Sequence, residues 1–226
     1  MSKLFHWFWI PLLIVLLLLM IRESIIIVQA IFFPRPPMTM LGNLEMYKWT
    51  GLGIVIYAFA KGFLRKNLSW LEVFSHELTH TVVSMMMLRK IHSFQAGDRG
   101  GEVSTSGSSY NRVFVTLAPY CLPIFTYFFL FFRPLIKNDG FWLYDIIIGV
   151  TIAFHAICFK TQTGNHQPDI QRFPLPFSYL YIFTALLFNI NTILVSYWSS
   201  KNIFTALWYS LCSIWEGLTA FWGLFF

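Results

Sequence analysis

The pentapeptide His76-Glu77-Leu78-Thr79-His80 sets two imidazoles four residues apart, with a carboxylate beside the first. On a helix, residues i and i+4 point the same way, so both rings can hold one metal ion while Glu77 stands next to them as a base. Zinc suits such a pair: it takes histidine nitrogen in tetrahedral geometry, lowers the pKa of water from about 15.7 toward 7 and polarises a carbonyl. Glu77 can then accept the proton of a metal-activated water and pass it to a departing amine. With six His and six Glu among 226 residues, accident would supply only about 0.004 matches to this pattern.

The elements that must position these groups are apolar. Hydrophobic residues make up 57% of the chain, charged residues 12% and aromatic residues 19%, and the mean hydropathy is +0.61. These values exclude a soluble monomer, a disordered chain and a disulfide scaffold. Crossing a bilayer takes about 20 apolar residues, and seven runs approach that length. Trp7 to Phe33 is interrupted at Arg22-Glu23-Ser24 and closed by Pro34-Arg35-Pro36-Pro37. Trp49 to Leu64, Leu68 to Leu88 and Val113 to Phe132 follow, the last bent by Pro119 and Pro123. Phe141 to Phe159, Phe177 to Tyr197 and a tail from Ile203 to Phe226 complete the set.

This pattern predicts an all-α polytopic membrane protein with six or seven transmembrane helices and a short β-hairpin after the His76–His80 helix. It divides into two N-terminal transmembrane segments at 1–67, a membrane core at 68–197 and a C-terminal hydrophobic segment at 198–226. The hairpin expectation rests on Ser93 to Ala96 and Gly101 to Ser106, which can pair around Gly97-Asp98-Arg99-Gly100. The net charge of +6 is scattered through short loops, which fits headgroup-facing turns and gives no basic stripe for nucleic acid. Basic residues divide seven to eight between the two sides, so orientation stays open. Cys121, Cys158 and Cys212 lie in apolar segments with no metal-binding spacing. Three ionisable side chains within five residues inside a span are costly in lipid, which argues for function over helix-to-helix adhesion.

A membrane-embedded H-E-x-x-H, followed by a polar Gly-Gly loop, further spans and a late Asp, resembles the site-2-protease type of intramembrane zinc metalloprotease, and more narrowly its small bacterial members. The resemblance covers roughly Trp70 to Asn191 and is strongest at the pentapeptide. Weaker matches are Gly100-Gly101-Glu102-Val103, Leu117-Ala118-Pro119-Tyr120, Phe154-His155 and Gln167-Pro168-Asp169. It implies a zinc-dependent peptidase of the bacterial inner membrane, cutting a membrane-protein or membrane-anchored peptide substrate in or near the bilayer.

The third metal ligand departs from the family pattern, because the chain has no Leu-Asp-Gly tripeptide. Asp169 is the nearest analogue, since Pro168 starts a helix well and Asp favours its first turn. His155 competes. If the third to fifth runs all cross, the third and fifth are parallel, and His155 lies about 21 Å deep against about 18 Å for His80. Asp145, shallower on the same run, ranks behind both. Glu72, one turn before His76, could orient that ring. Gly101, Val103 and Asn189 are candidates for binding substrate backbone, with helix-to-helix hydrogen bonding the competing role for Asn189.

The leading expectation is therefore an intramembrane zinc endopeptidase with His76, His80 and Asp169 or His155 as ligands and Glu77 as base. The alternatives are a catalytically silent membrane scaffold that binds metal and, further off, a metal or proton transporter. The absence of an internal repeat counts against the last of these.

Overall fold

A computed structural model of the protein describes residues 6–33, 40–97, 100–136, 140–198 and 202–223. The breaks at Pro34-Arg35-Pro36-Pro37 and the Asp98-Arg99 turn of the hairpin lie outside the described residues. The long apolar runs form helices: α1 (Ile10–Phe32), α2 (Met40–Phe63) and α3 (Arg65–Met86). The hairpin follows as β1 (Lys90–Gly97) and β2 (Gly100–Ser106). A short α4 (Arg112–Leu117) runs through a 3-10 turn at Ala118–Tyr120 into α5 (Ile124–Phe132). The chain then makes α6 (Phe141–Gln162), the single turn α7 (Pro168–Gln171), α8 (Leu175–Trp198) and α9 (Ile203–Trp222).

Among the described residues three helices are long and apolar enough to cross a membrane, Ile10–Phe32, Phe141–Gln162 and Leu175–Ser196, which makes this a multi-pass membrane protein. A fourth crossing arises if Arg112–Tyr120 and Ile124–Leu135, bent by 88°, act as one span. The expected count of six or seven is thus not shown. α2, α3 and α9 have the length, at 24, 22 and 20 residues. They are less apolar, because α3 carries its chemistry in charged and polar side chains and α9 includes Glu216 and eight Trp, Tyr, Ser and Thr residues among its 20.

The 88° bend falls where the sequence places Pro119 and Pro123, neither of which can donate the hydrogen bond that would carry a helix through. α2 and α6 pack backbone to backbone. A Cβ on Gly53 would run into the carbonyl of Ile146, and one on Gly149 into that of Thr50. Small residues permit this approach, which is how helices gain contact in lipid, where the hydrophobic effect between them is weak. α1 is fastened to α8 through Asn191, whose Nδ2 donates to Met20 O at 3.1 Å while its Oδ1 accepts from Ser24 Oγ at 2.9 Å.

The hairpin is antiparallel, pairing Phe94 with Val103, Gln95 with Glu102 and Ala96 with Gly101. α3 gives way to it through Leu88, whose φ of 54° is the left-handed turn that ends the helix, with Arg89 N donating back to Ser84 O. Aromatic contacts then hold the hairpin against α3: Trp70 stacks on Phe74 at 5.3 Å, and Phe74 meets Phe94 edge-on at 6.0 Å. Arg89 ties down its base, donating from Nη1 to Ser108 O at 2.6 Å and to Asn111 Oδ1 at 2.7 Å.

Candidate metal centre

α3 delivers His76, Glu77 and His80 from adjacent turns, as the i, i+4 spacing requires. The third group comes from 89 residues beyond His80. Asp169 Oδ2 stands 3.2 Å from His80 Nε2 and 3.6 Å from His76 Nε2. One ligand atom from each of the three residues lies within 4.8 Å of the others.

Asp169 reaches this point because its segment folds back into the protein. α7 begins with Pro168, placing Asp169 in the first turn, and the fully buried Ile170 anchors it in a cluster with Leu117, Tyr120, Phe173 and Phe177. Ser178 Oγ adds a hydrogen bond to Ile170 O at 2.9 Å. Burial works against charge on Asp169, yet hydrogen bonds and charge from His76 and His80 outweigh it and hold the carboxyl below the usual carboxylate range.

Each imidazole is held from behind. His80 Nδ1 donates to Val115 O at 2.8 Å, and His76 Nδ1 donates to Gln162 Oε1 at 3.1 Å. The Val115 carbonyl is free for this because the residue four positions on is Pro119, which has no N–H to complete the helix. With both Nδ1 atoms committed as donors, the two Nε2 atoms face Asp169 Oδ2. A proton on Nε2 satisfies these contacts as they stand, and the same two-histidine, one-carboxylate donor set, converging on one point, fits zinc in its place.

Glu77 is buried beside the trio and packs beneath Gly101 of β2. A Cβ at Gly101 would lie 2.8 Å from Glu77 Cδ, so only glycine lets the strand pass over the carboxylate. The trio, Glu77 and residues 101–105 of β2 line one cavity of about 700 Å³. Gly101 and Val103 are therefore brought to the site.

Four other sequence candidates lie elsewhere. His155 sits on α6 against a separate cavity of about 180 Å³, lined by Pro123, Ile152, Leu186 and Ile193. Had α3 and α6 started in one plane, His155 would lie level with His80. The His76–Gln162 bond instead sets the last turn of α6, seven residues beyond His155, beside His76. Asn189 is consumed by structure: Nδ2 donates to Cys121 O at 3.1 Å and Ala185 O at 2.7 Å, and Oδ1 accepts from Tyr127 OH at 2.6 Å. Glu72 is ion-paired with Lys61 of α2 and so joins two helices, leaving the orientation of His76 to Gln162. Asp145 is likewise outside the trio.

Gln162 and the Val115 carbonyl were not legible as site groups. Both act across long sequence separations, and the only local sign was Pro119, which marks a freed carbonyl without naming its partner.

A family model described as Peptidase M50B-like matches residues 49–163, 115 of the 226. No curated protein and no solved structure matches the chain. The matched stretch includes His76, Glu77, His80, the hairpin and Gln162, and it ends before Asp169. Members of this family usually bind zinc, and the donor set described above is consistent with that. On the strength of that match, the chain belongs to the Peptidase M50B-like family, of the site-2-protease type.

Proposed function

We propose that this protein is an intramembrane zinc endopeptidase that hydrolyses peptide bonds of membrane-embedded or membrane-anchored substrates. One observation carries the reading: the Nε2 atoms of His76 and His80 meet Asp169 Oδ2 within 4.8 Å, in the same cavity as a buried glutamate and a strand. His76, His80 and Asp169 would hold the zinc. When bound, zinc supplies a Lewis acid that polarises the scissile carbonyl and lowers the pKa of water.

The chain's own groups account for the remaining steps. Among the described residues β2 pairs only with β1 in a two-stranded sheet, and its residues 101–105 line the cavity, so an extended peptide can add along it. Such an edge suits a transmembrane substrate, whose helix must unwind before it is cut and whose freed amides then need partners. Glu77 takes the proton of the attacking water and returns it to the nitrogen of the departing amine. Gln162 and Val115 O fix the ring orientations throughout.

Glu77→Gln tests this reading. With a purified single-span membrane protein as substrate in detergent micelles, the variant should lose cleavage by at least about 100-fold and retain its zinc. Cleavage at the wild-type rate would overturn the assignment of Glu77 as base.

A further inference from the structure

The cavity that holds the metal trio and Glu77 has a basic outer wall. Arg89, Arg112 and Arg172 all line it, from the turn after α3, the start of α4 and the residue following α7. Their situations differ. Arg89 is buried and committed to Ser108 O and Asn111 Oδ1. Arg112 and Arg172 are exposed, and among the described residues neither guanidinium has a hydrogen bond or an ion pair.

Both of these arginines lie close enough to Arg89 to act on it electrostatically. Gathering like charges on one wall is unfavourable unless a counter-charge arrives, and among the described residues no carboxylate is ion-paired with Arg112 or Arg172. Glu77 and Asp169 belong to the metal and base groups. Glu102 also lines the cavity but forms no ion pair with the arginines among the described residues. The free guanidiniums therefore face the same space in which an extended peptide would lie along residues 101–105.

We propose that Arg112 and Arg172 form an anion-binding subsite that selects peptides carrying a carboxylate close to the scissile bond. The inference rests on the peptidase reading and deepens it by naming a substrate class. A carboxylate suits the guanidinium fork, which can grip both oxygens at once. That carboxylate can come from an Asp or Glu side chain or from a free C-terminus, and the two are separable by experiment. Lipid phosphate would satisfy the same charges, but a headgroup has no reason to share a cavity with Glu77 and the edge of β2.

The test measures binding, so that turnover does not enter. The protein carries Glu77→Gln throughout and is purified in a zwitterionic detergent with added zinc. Three probes bear a neutral fluorophore: an amidated nonapeptide of alternating Val and Ser with Glu at its centre, the same peptide with Gln, and the Gln peptide with a free C-terminus. Anisotropy should show the Glu peptide, the free-acid peptide or both binding about tenfold tighter than the amidated Gln peptide. That preference should disappear in Arg112→Gln/Arg172→Gln, survive in part in the double Lys variant and weaken at high salt.

Equal binding of all three probes would overturn the proposal while leaving the peptidase reading intact. So would a preference that persists in the double Gln variant. Enrichment of phosphatidylglycerol over phosphatidylcholine from mixed micelles, lost in that variant and without any peptide preference, would overturn it in favour of lipid. Failure to bind any probe would overturn it too, and zinc content and cleavage of a protein substrate would then decide separately whether the peptidase reading falls with it.

Discussion

Two polar regions interrupt the apolar helices, and they are built on opposite principles. At the α3–α7 contact, His76, His80 and Asp169 point their electron-rich atoms at one another, and every supporting bond comes from behind. Where α8 meets α5, Asn189 spends both amide hydrogens on Cys121 and Ala185 and its carbonyl oxygen on Tyr127, beside a small apolar cavity that His155 also lines. Both regions put costly groups among apolar helices, so polarity alone does not separate them. Convergence does. Groups that satisfy each other hold helices together, whereas groups that are oriented and left facing a common point are arranged for something brought in from outside.

The first way to break this contrast is to move a group at the convergent region without touching a ligand. Gly101→Val places a side chain where the Glu77 carboxyl lies. Displacing the base by about 1 Å should cost on the order of 100-fold in cleavage, with zinc retained. Steady-state cleavage of a membrane-protein substrate, read beside elemental analysis, checks this.

A smaller effect should follow from loosening a ring. Gln162→Ala removes the acceptor behind His76, and loss of such a partner weakens metal binding by about 10- to 100-fold. Competition for zinc with a chelating dye measures it. The same assay on Glu72→Ala should show little change, because Glu72 faces Lys61.

The smallest effect belongs to the other region. Asn189→Ala should lower stability by about 1 kcal/mol and leave zinc affinity and cleavage per folded molecule as they were. Thermal unfolding in detergent reads the first, and zinc titration the second. A loss of activity without loss of stability would place Asn189 back at the substrate.

What the sequence disclosed divides along similar lines. The ring pair of α3 was readable because i, i+4 spacing is local, and the hairpin because turn residues separate two short polar strands. The bend between α4 and α5 was readable because proline removes a donor wherever it stands. Asp169 was readable only in part: Pro168 announces a helix start, but nothing local says that Ile170 will draw that turn into the core. Gln162 was invisible, since its role depends on which turn of α6 meets His76. That meeting at the end of α6, rather than at His155, is something a count of residues from each helix start cannot foresee. Six or seven spans are not shown, because α2, α3 and α9 have the length of a span but carry enough polar or amphipathic side chains to fall short of the other helices in hydropathy.

The most direct test of the account is the zinc content per chain of detergent-purified wild type, His76→Ala, Asp169→Ala and His155→Ala. The account predicts about one zinc in wild type and in His155→Ala, none in His76→Ala and a marked loss in Asp169→Ala. Zinc kept by Asp169→Ala and lost from His155→Ala, or none in wild type purified with zinc present, would contradict it.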